Sequence, residues 1–355
     1  MDKIISLLEN NTSLFVASNI ITTSLSISYI LYKRKQRNEL ARLRPTRLVV
    51  ITGCDSGLGL SMALWARQLG YPVLAGCLNP DGEGANLLKK EGVTISRLDV
   101  TKAESINDFQ EACTKVLEET KTKLWAVVSN AAVLVCAEVL WQTQSQWERQ
   151  FAVNFWGAVH LTKQFQPLLF QHKSRFIIIS SDCSKLALPG LSMYAASKAA
   201  LESWGRGLRL EFGKYGVTVV SYQPGSFAFS SQIFAGSATH YAEMEKNMSP
   251  LDKEFYGDYF TGWKRLKAQL SEQLPSVQPL KSKRHQKDLK LLLEGNLSRT
   301  PVVTYETWVQ LVLLWGEKLL PRALSDKLLT FTMNGAVDVF WKPMNYAKLC
   351  RKFVR

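Results

Sequence analysis

The sequence predicts an α/β fold in which helices cover both faces of a doubly wound parallel sheet. From Arg47 onward, short apolar runs alternate with longer stretches of helical periodicity. A glycine-rich turn, residues 52–59, lies between the first apolar run and the first helical stretch. Two serines, Ser180 and Ser181, end the fifth run, and the carboxyl ends of parallel strands are where such sheets bind ligands.

Six apolar runs are expected to form the sheet, joined by right-handed crossovers. The predicted strands are Leu48–Ile51, Val73–Leu78, Val93–Leu98, Leu124–Val128, Phe176–Ser180 and Val217–Tyr222. The predicted helices between them are Leu58–Leu69, Ala103–Glu119, Gln146–Leu169 and Tyr194–Phe212. Residues 45–225 are therefore expected to make one domain.

An uncharged run of twenty residues, Ser13–Tyr32, precedes this domain. As a helix it would be about 30 Å long, which matches the hydrocarbon thickness of a bilayer. Eight of its residues are Ser, Thr or Asn, so an interfacial or re-entrant anchor stays open beside a spanning helix. The basic run Lys33–Arg37 follows and predicts a cytosolic main domain. We expect residues 1–37 to form a membrane anchor with a basic flank.

The formal net charge of +14 is concentrated in residues 33–47, 281–290 and 348–355. Such clusters suit an anionic membrane surface, so membrane lipid is an expected partner. No nucleic-acid-binding motif accompanies them, and we expect no nucleic-acid partner. The six cysteines form no CxxC pair, and the four histidines are scattered. The sequence therefore predicts a reduced domain without a metal site.

The turn after the first predicted strand combines three glycines with the start of a helix. It reads Thr52-Gly53-Cys54-Asp55-Ser56-Gly57-Leu58-Gly59. Glycines let the backbone turn tightly and let a pyrophosphate approach the helix N-terminus, whose amides and dipole favour anions. Between the first strand and first helix of a βαβ series, this turn predicts a dinucleotide site.

A phenol, an ammonium group and a hydroxyl are expected to meet at the end of the fifth strand. Tyr194 and Lys198 are four residues apart and share one face of a helix. The ammonium group is expected to lower the pKa of the Tyr194 phenol and make it a usable acid/base. The hydroxyl of Ser181 would emerge beside them, where a carbonyl or an alcohol could contact all three groups.

These motifs occur in the order typical of the short-chain dehydrogenase/reductase superfamily, which the chain resembles from Arg47 to about Gly225. The resemblance rests on the glycine turn, Asp99-Val100-Thr101, Ser129-Asn130-Ala131-Ala132, Val153–Gly157, Ser180-Ser181, Tyr194 with Lys198, and Gln223-Pro224-Gly225. Within the superfamily, Ile51–Gly59, Val73–Asn79 and Leu124–Val128 are similar to the retinol dehydrogenase and type 2 17β-hydroxysteroid dehydrogenase branch. The resemblance implies a Rossmann-type fold.

The resemblance also implies roles for individual residues. Asn154, Ser181, Tyr194 and Lys198 would form a catalytic tetrad, in which Asn154 holds a water molecule of the proton relay. The cofactor contacts would be Thr52, Gly53, Ser56, Gly57, Leu58, Gly59, Asp99, Val100, Asn130, Tyr194, Lys198, Pro224 and Gly225. Two alternatives stay open, since Asn154 could mark a helix kink and Asp99 a helix cap.

Three positions depart from the pattern of the superfamily. Ala132 stands where glycine is usual after the fourth strand, Ser184 where glycine is common after the catalytic serine, and Phe229 where threonine is usual. These departures affect the expected pose of the substrate and the contacts of the cofactor carboxamide. They remove no member of the tetrad.

Residues 226–322 are expected to supply a helical substrate lid and the C-terminal part of the fold, followed by a basic tail, residues 323–355. The lid is rich in aromatic residues, namely Phe227, Phe229, Phe234, Tyr241, Phe255, Tyr256, Tyr259, Phe260 and Trp263. Such rings suit a large apolar substrate, although part of them would pack within the lid. The apolar segment Trp308–Leu320 is too short to span a bilayer.

The sequence therefore predicts an oxidoreductase of the endoplasmic reticulum membrane that acts on a steroid, sterol or retinoid alcohol. A non-catalytic nucleotide-binding membrane protein and a lipid-dependent hydroxy-acid dehydrogenase are the alternatives, and a homodimer is possible. The expected cofactor is NAD, with NADP possible. The second strand closes Ala75-Gly76-Cys77-Leu78-Asn79, without the Arg or Lys that suits a 2′-phosphate. Asp55, if it lay near, would repel that phosphate.

Overall fold

The computed structural model describes residues 23–24, 26–29, 31–32, 42–224, 231–272, 277–294 and 302–303, with positions 321 and 324. The chain divides into two compact units, Met1–Pro45 and Thr46–Arg355. Most of the predicted anchor Ser13–Tyr32, its basic flank and nearly all of the tail 323–355 lie outside the described residues. Within the described part of the chain, no helix is long and apolar enough to cross a membrane. A membrane anchor is therefore not shown.

The second unit is built on a parallel sheet with the strand order β3-β2-β1-β4-β5-β6-β7. Its strands are β1 Arg47–Thr52, β2 Val73–Cys77, β3 Thr94–Arg97, β4 Lys123–Ser129, β5 Arg175–Ile179, β6 Thr218–Gln223 and β7 Val302–Val303. The strand order reverses between β1 and β4, which is the point where doubly wound sheets bind their ligands. The six predicted strands are present, and the two-residue β7 was not predicted.

Helices cover both faces of this sheet. They are α1 Gly57–Gln68, α2 Glu83–Lys90, α3 Ala103–Thr120, α4 Gln144–Phe151, α5 Gly157–His172, α6 Ser192–Gly213, α7 Ser237–Asn247, α8 Pro250–Glu272 and α9 Lys283–Glu294. Helix α2 was not predicted, because its eight residues carry a glycine in the first turn and span barely two turns.

The predicted helix Gln146–Leu169 is divided by a π-helical segment, Ala152–Trp156, that separates α4 from α5. Such a segment inserts one extra residue into the helical ladder and is frequent at functional sites. It carries Asn154. Kinks are common at such segments, and the alternative interpretation that Asn154 marks a helix kink stays a prediction.

Two apolar layers hold the sheet between its helices. On one face, strand residues pack against Leu60 of α1 and Leu289 of α9, and on the other they pack against Phe109 of α3 and Phe165 of α5. The rings of Phe109 and Phe165 lie with their centroids 5.9 Å apart. Because both faces are covered, the strands are nearly continuous apolar runs, as parallel strands usually are.

A third apolar cluster joins the loop after β4 to the lid helices α7 and α8. Trp141 lies at its centre, with ring centroids 5.3 Å from Tyr259, 5.4 Å from Phe260 and 5.9 Å from Trp263. Tyr194 of α6 belongs to the same cluster. The lid is therefore packed directly against the element that carries the predicted catalytic tyrosine.

Candidate active site

Ser181 follows the carboxyl end of β5 and caps a short 3-10 helix, Asp182–Ser184. Its Oγ accepts a hydrogen bond from the amide of Cys183 at 3.1 Å and donates one to Oδ1 of Asp182 at 3.0 Å. Burial raises the pKa of the Asp182 carboxyl. The hydroxyl of Ser181 is thus held by its own loop at the ligand-binding edge of the sheet.

Tyr194 and Lys198 lie on the first two turns of α6 and are both buried, with 6% and 2% of their surface exposed. The Lys198 Nζ lies 5.8 Å from the centroid of the Tyr194 ring. It also donates a hydrogen bond to the carbonyl of Ile179, at the end of β5, at 3.0 Å. The predicted shared face is confirmed, and the lysine ties the helix to the strand that precedes Ser181.

The prediction that the pKa of Tyr194 is lowered is wrong when only the protein's own groups act on the phenol. Burial raises the pKa of this phenol, and the neighbouring Cys183 raises it further, while a hydrogen bond with Ser181 lowers it. Burial also lowers the pKa of Lys198 to about 8. The sequence spacing correctly predicted that the Lys198 ammonium lies near the Tyr194 phenol. It could not show that both side chains are desolvated, and desolvation disfavours the phenolate and the ammonium alike.

Asn154 of the π-helical segment is buried, and both Oδ1 and Nδ2 of its side chain form hydrogen bonds. Its Oδ1 accepts from the amide of Val133 at 2.8 Å, and its Nδ2 donates to the Val133 carbonyl at 2.9 Å and to Ser197 Oγ at 3.0 Å. Ser197 in turn donates to the carbonyl of Tyr194 at 2.7 Å. Asn154 therefore joins the loop after β4 to the turn of α6 that holds the tyrosine.

Ser197 was not among the predicted site residues. It lies inside the segment Tyr194-Ala195-Ala196-Ser197-Lys198, at the position just before the lysine. A small polar residue inside a buried helical turn was the only signal in the sequence that could have indicated it.

Ser184, one of the three residues that depart from the superfamily pattern, also links two segments at the carboxyl edge of the sheet. Its Oγ donates to the carbonyl of Ser181 at 2.7 Å and accepts from Nε2 of the buried Gln223 at 3.5 Å. Lys185 Nζ donates to Oε1 of the same glutamine at 2.8 Å. The serine thus links the Ser181 loop to the end of β6, which a glycine could not do.

The glycine turn adopts the geometry expected of a pyrophosphate-binding loop. Gly53 and Gly57 have φ angles of 69° and 58°, in the left-handed region that favours glycine. A Cβ on Gly59 would lie 2.0 Å from the carbonyl oxygen of Gly53. Ser56 stands at the N-cap of α1 without a side-chain cap, while Leu58 packs against the core. The turn therefore requires its glycines, and no side chain caps the amides at the N-terminus of α1, where an anion is favoured.

Asn130 acts on the glycine turn from the end of β4. Its Nδ2 donates to the carbonyls of Thr52 at 2.9 Å and Gly53 at 3.1 Å, and its amide donates to Thr52 Oγ1 at 3.0 Å. The Thr52 hydroxyl also accepts from the amide of Ala131 at 3.0 Å. Asn130 and Thr52 thus fix the shape of the turn.

The carboxylate of Asp55 lies at the end of β2. Its two oxygens accept hydrogen bonds from the amides of Leu78 at 2.9 Å and Asn79 at 2.8 Å. A basic residue that could have reached this position, Lys89, forms an ion pair with Asp81 at 3.3 Å. The negative charge of Asp55 is therefore located beside the strand end where an adenosine ribose would be selected.

Asp99 and Val100 follow β3. Oδ1 of Asp99 accepts from the amide of Thr101 at 2.9 Å and from its hydroxyl at 2.7 Å. Burial of Asp99 opposes ionisation, but these hydrogen bonds outweigh it and lower the carboxyl pKa. Lys102 is the N-cap of α3, so the alternative interpretation of Asp99 as the helix cap is wrong. Val100 is buried, and its side chain lies where a Cβ on Gly157 would be.

The remaining predicted positions divide between described and undescribed residues. Pro224 is buried at the end of β6, whereas Gly225, Phe227 and Phe229 lie outside the described residues. Ala132 is half-buried after β4. Among the residues that the structure describes, no group of histidine, cysteine or acidic side chains is arranged to hold a metal ion.

The lid aromatics fall into two groups. Tyr241 and Trp263 are buried and both donate to the carbonyl of Cys136, at 2.7 Å and 3.2 Å. Tyr259 donates to Glu138 at 2.9 Å. These rings therefore hold the lid. The partly buried residues that pack against the same cluster are Cys183, Leu188, Ile233, Phe234, Met248, Tyr256 and Leu266.

Comparison with known proteins identifies the family. A model described as short chain dehydrogenase matches residues 47–239. Estradiol 17-beta-dehydrogenase 2 of Rattus norvegicus is 33% identical over 281 residues, which are 76% of this chain and 71% of the relative. The 17-beta-hydroxysteroid dehydrogenase type 2 of Homo sapiens is 34% identical over 220 residues, 60% of this chain. The chain spans 55% of the length of this human relative.

A second group of relatives and a solved structure complete the comparison. The mitochondrial D-beta-hydroxybutyrate dehydrogenase of Bos taurus is 32% identical over 219 residues, which cover 60% of this chain and 64% of the relative. A short chain dehydrogenase/reductase from Burkholderia phymatum, solved with NAD, has a TM-score of 0.60 at 18% identity and covers 81% of this chain and 96% of its own. The fold is thus shared. The chain belongs to the short-chain dehydrogenase family of NAD(P)-dependent oxidoreductases, within its hydroxysteroid dehydrogenase branch.

Proposed function

We propose that the protein is a membrane-associated, NAD-dependent dehydrogenase that oxidises the hydroxyl group of a lipophilic alcohol, such as a steroid, sterol or retinoid. The observation that carries this proposal is the position of Tyr194. Its phenol lies beside Ser181 and in the same apolar cluster as Leu188, Ile233 and Tyr256. An acid/base group at an apolar, lid-covered position suits a substrate that presents one polar oxygen on an otherwise apolar body.

In this proposal each buried polar group has one task. With substrate bound, the Ser181 hydroxyl turns from Asp182 Oδ1 and donates its hydrogen bond to the substrate oxygen. Tyr194, as the phenolate, accepts the hydroxyl proton of the alcohol. Lys198 binds the ribose of the cofactor and favours the phenolate by its charge. Asn154 and Ser197 position the turn of α6 through the bonds to Val133 and to the Tyr194 carbonyl. The relay water that the family resemblance implies at Asn154 remains a proposal.

The glycine turn supports a dinucleotide site, because its tight course requires glycine: a Cβ on Gly53 would lie 2.7 Å from the Ala131 α-carbon, and one on Gly59 would lie 2.0 Å from the Gly53 carbonyl oxygen. Residues Thr52–Gly59 would hold the pyrophosphate, with Asp99 and Val100 beside the adenine and Asn130 beside the cofactor at the turn after β4. An oxidised nicotinamide supplies a hydride acceptor and a positive charge. That charge would oppose the burial that raises the Tyr194 pKa.

NAD is the proposed cofactor in preference to NADP, since Asp55 places a negative charge at the end of β2. We expect at least a tenfold higher catalytic efficiency with NAD, equal to about 1.4 kcal/mol. Asp55→Asn should narrow the ratio of the two catalytic efficiencies, and Glu119→Gln, which changes an exposed carboxylate paired with Lys115 on α3, should leave it unchanged. A tenfold preference of the parent for NADP would contradict the proposal.

Membrane association rests on the run Ser13–Tyr32 and its basic flank, and the endoplasmic reticulum is the proposed location. Deleting residues 1–37 should release much of the protein from carbonate-washed membranes. Complete retention of the shortened chain would identify another attachment.

A homodimer is also proposed. Large apolar side chains are exposed around α5 and α6, among them Trp156, Leu210 and Tyr215, and a second copy of the chain could cover them.

A hydroxy-acid dehydrogenase is the second candidate, favoured by the similarity to D-beta-hydroxybutyrate dehydrogenase. One assay separates the two. The detergent-purified full chain is incubated with NAD and either steroid and retinoid alcohols or 3-hydroxybutyrate, with Tyr194→Phe as the inactive control, and NADH fluorescence is followed. Turnover of a steroid or retinoid alcohol supports the proposal, and turnover of the hydroxy acid alone supports the second candidate. NAD binding without turnover of any alcohol would favour a non-catalytic protein.

A further inference from the structure

Two arginines and a tryptophan form a stack at the amino-terminal ends of three adjacent strands. Arg47 begins β1, Arg175 begins β5, and Trp125 lies near the start of β4, the strand between them. The guanidinium carbon of Arg47 lies 3.6 Å from the centroid of the Trp125 ring, and that of Arg175 lies 3.9 Å from it. Because the arginines come from opposite neighbours of β4, the indole is held between them.

The backbone is irregular at this place. Leu48 pairs with Leu124 and Val49 with Ala126, so Trp125 is an extra residue in β4. Such bulges redirect a side chain and are frequent beside functional sites. The indole Nε1 donates to the carbonyl of Leu293, at the end of α9, at 2.6 Å. The ring is therefore fixed by a hydrogen bond that leaves its two faces for the guanidinium groups.

Both guanidinium groups are at least partly removed from water. Arg175 is only 8% exposed, and Arg47 is half-buried. Nε of Arg175 and Nη1 of Arg47 are buried without an acceptor. Among the described residues, the ion pairs involve neither arginine. Burial lowers the pKa of Arg175 to about 10, with a further contribution from Arg47, yet both remain charged at neutral pH. Cation–π attraction offsets only part of the cost of burying two like charges.

We propose that this stack, Arg47–Trp125–Arg175, binds a phosphate group, carried either by a soluble phosphate compound or by a phospholipid headgroup. Guanidinium groups present paired N–H donors that match the oxygens of phosphate. The stack lies at the amino end of β1, whereas the glycine turn follows its carboxyl end. The site is therefore separate from the cofactor site, at about the length of a strand, roughly 17 Å.

Thermal unfolding of the full chain tests the site. The protein is saturated with NAD, so that the phosphate-binding turn is occupied, and sodium phosphate is compared with sodium chloride at equal ionic strength. We expect phosphate to raise the Tm by about 2–4 °C. Arg175→Gln should abolish the rise. Arg47→Gln, at a half-buried position, should do the same and serves if the first variant does not fold.

Arg206→Gln is the matched control, because Arg206 is an arginine whose side chain is 61% exposed. This variant should keep the full rise in Tm. An equal rise in the parent, Arg175→Gln and Arg47→Gln would assign the phosphate to another place and overturn the proposal. The absence of any rise in the parent would also overturn it, unless the lipid arm described next shows that the site is filled by headgroups.

Nanodiscs distinguish the two sources of the phosphate group. The full chain is compared in discs of phosphatidylcholine and in discs that also contain phosphatidic acid. A lipid source predicts that phosphatidic acid raises the Tm of the parent but of neither arginine variant, and that soluble phosphate then adds nothing. A soluble source predicts that phosphate raises the Tm equally in both discs. If neither phosphatidic acid nor phosphate raises the Tm of the parent, the proposal is wrong.

Discussion

The cofactor side and the lid side of the active site are stabilised by different kinds of interaction. On the cofactor side, Asn130 and Asp55 bind backbone groups of the glycine turn and the end of β2. On the lid side, aromatic packing around Trp141 is joined by hydrogen bonds to the backbone, such as those of Tyr241 and Trp263. Backbone contacts fix a shape for one ligand, while side-chain packing can be changed for different ligands. We therefore expect cofactor choice to be rigid and substrate choice to be adjustable.

The largest expected effect concerns Tyr194, where the two sides meet. Tyr194→Phe keeps the ring in its apolar cluster and removes the transferable proton. We expect kcat to fall on the order of a hundredfold or more, with NAD affinity nearly unchanged. Stopped-flow turnover and NAD titration measure the two quantities. A variant within a few fold of the parent would show that another group transfers the proton.

A side chain in the glycine turn should damage the cofactor side alone. In Gly59→Ala the new Cβ would lie 2.0 Å from the carbonyl oxygen of Gly53, so the loop must shift at a cost of ~1–3 kcal/mol. We expect NAD affinity to fall more than tenfold, as measured by calorimetry. Gly207→Ala is the control, because nothing lies within 4 Å of its Cβ. An equal loss in both variants would mean that helix stability, and not the turn, is responsible.

The buried Lys198 gives the tetrad a pH signature in stability. Its pKa is lowered to about 8 in the folded protein, from 10.5. Between these values the unfolded chain holds a proton that the folded chain has released, so Lys198 contributes a rise of stability with pH of at most ~1.4 kcal/mol per pH unit. The buried thiols have raised pKa values and contribute a slope of the opposite sign, so the contribution of Lys198 is the difference in slope between the parent and a variant without the amine. Urea unfolding from pH 8 to 10.5, the range between the two pKa values, measures both slopes. Lys198→Met should reduce the slope, and an unchanged slope would contradict the assignment.

The smallest effect is expected on the lid side. Tyr241→Phe removes one hydrogen bond to the Cys136 carbonyl but leaves the bond from Trp263 to the same oxygen. We expect a loss of ~1 kcal/mol in stability and a severalfold change in the KM of a lipophilic substrate, with the KM of NAD unaltered. A parallel change in both KM values would show that the lid and the cofactor turn are coupled, which would remove the contrast between the two sides.

What the sequence could predict follows the same division. The strands, the glycine turn and the Tyr194–Lys198 pair are local patterns, and the structure has each of them. The hydrogen bonds from Asn130 to Gly53 and from Asn154 to Ser197 join residues that are far apart in sequence. No local pattern therefore indicates which residues these asparagines contact. The direction of the Tyr194 pKa depends on burial by the loop after β4 and the lid, which spacing alone does not give. The π-helical segment was not predicted, because one extra residue in a helical ladder leaves no periodic pattern of its own in five residues.

The π-helical segment changes the direction in which the side chains of α5 point relative to those of α4. One added residue turns everything that follows by about 100°, the angle between successive residues of an α-helix. Gln146 and Gln150 of α4 can therefore face the lid and the loop after β4, while Phe165 of α5 faces the sheet. Deleting a residue from 152–156 would restore a regular helix and leave one of these faces misdirected. A one-residue insertion thus lets a single helix serve two neighbours that lie in different directions.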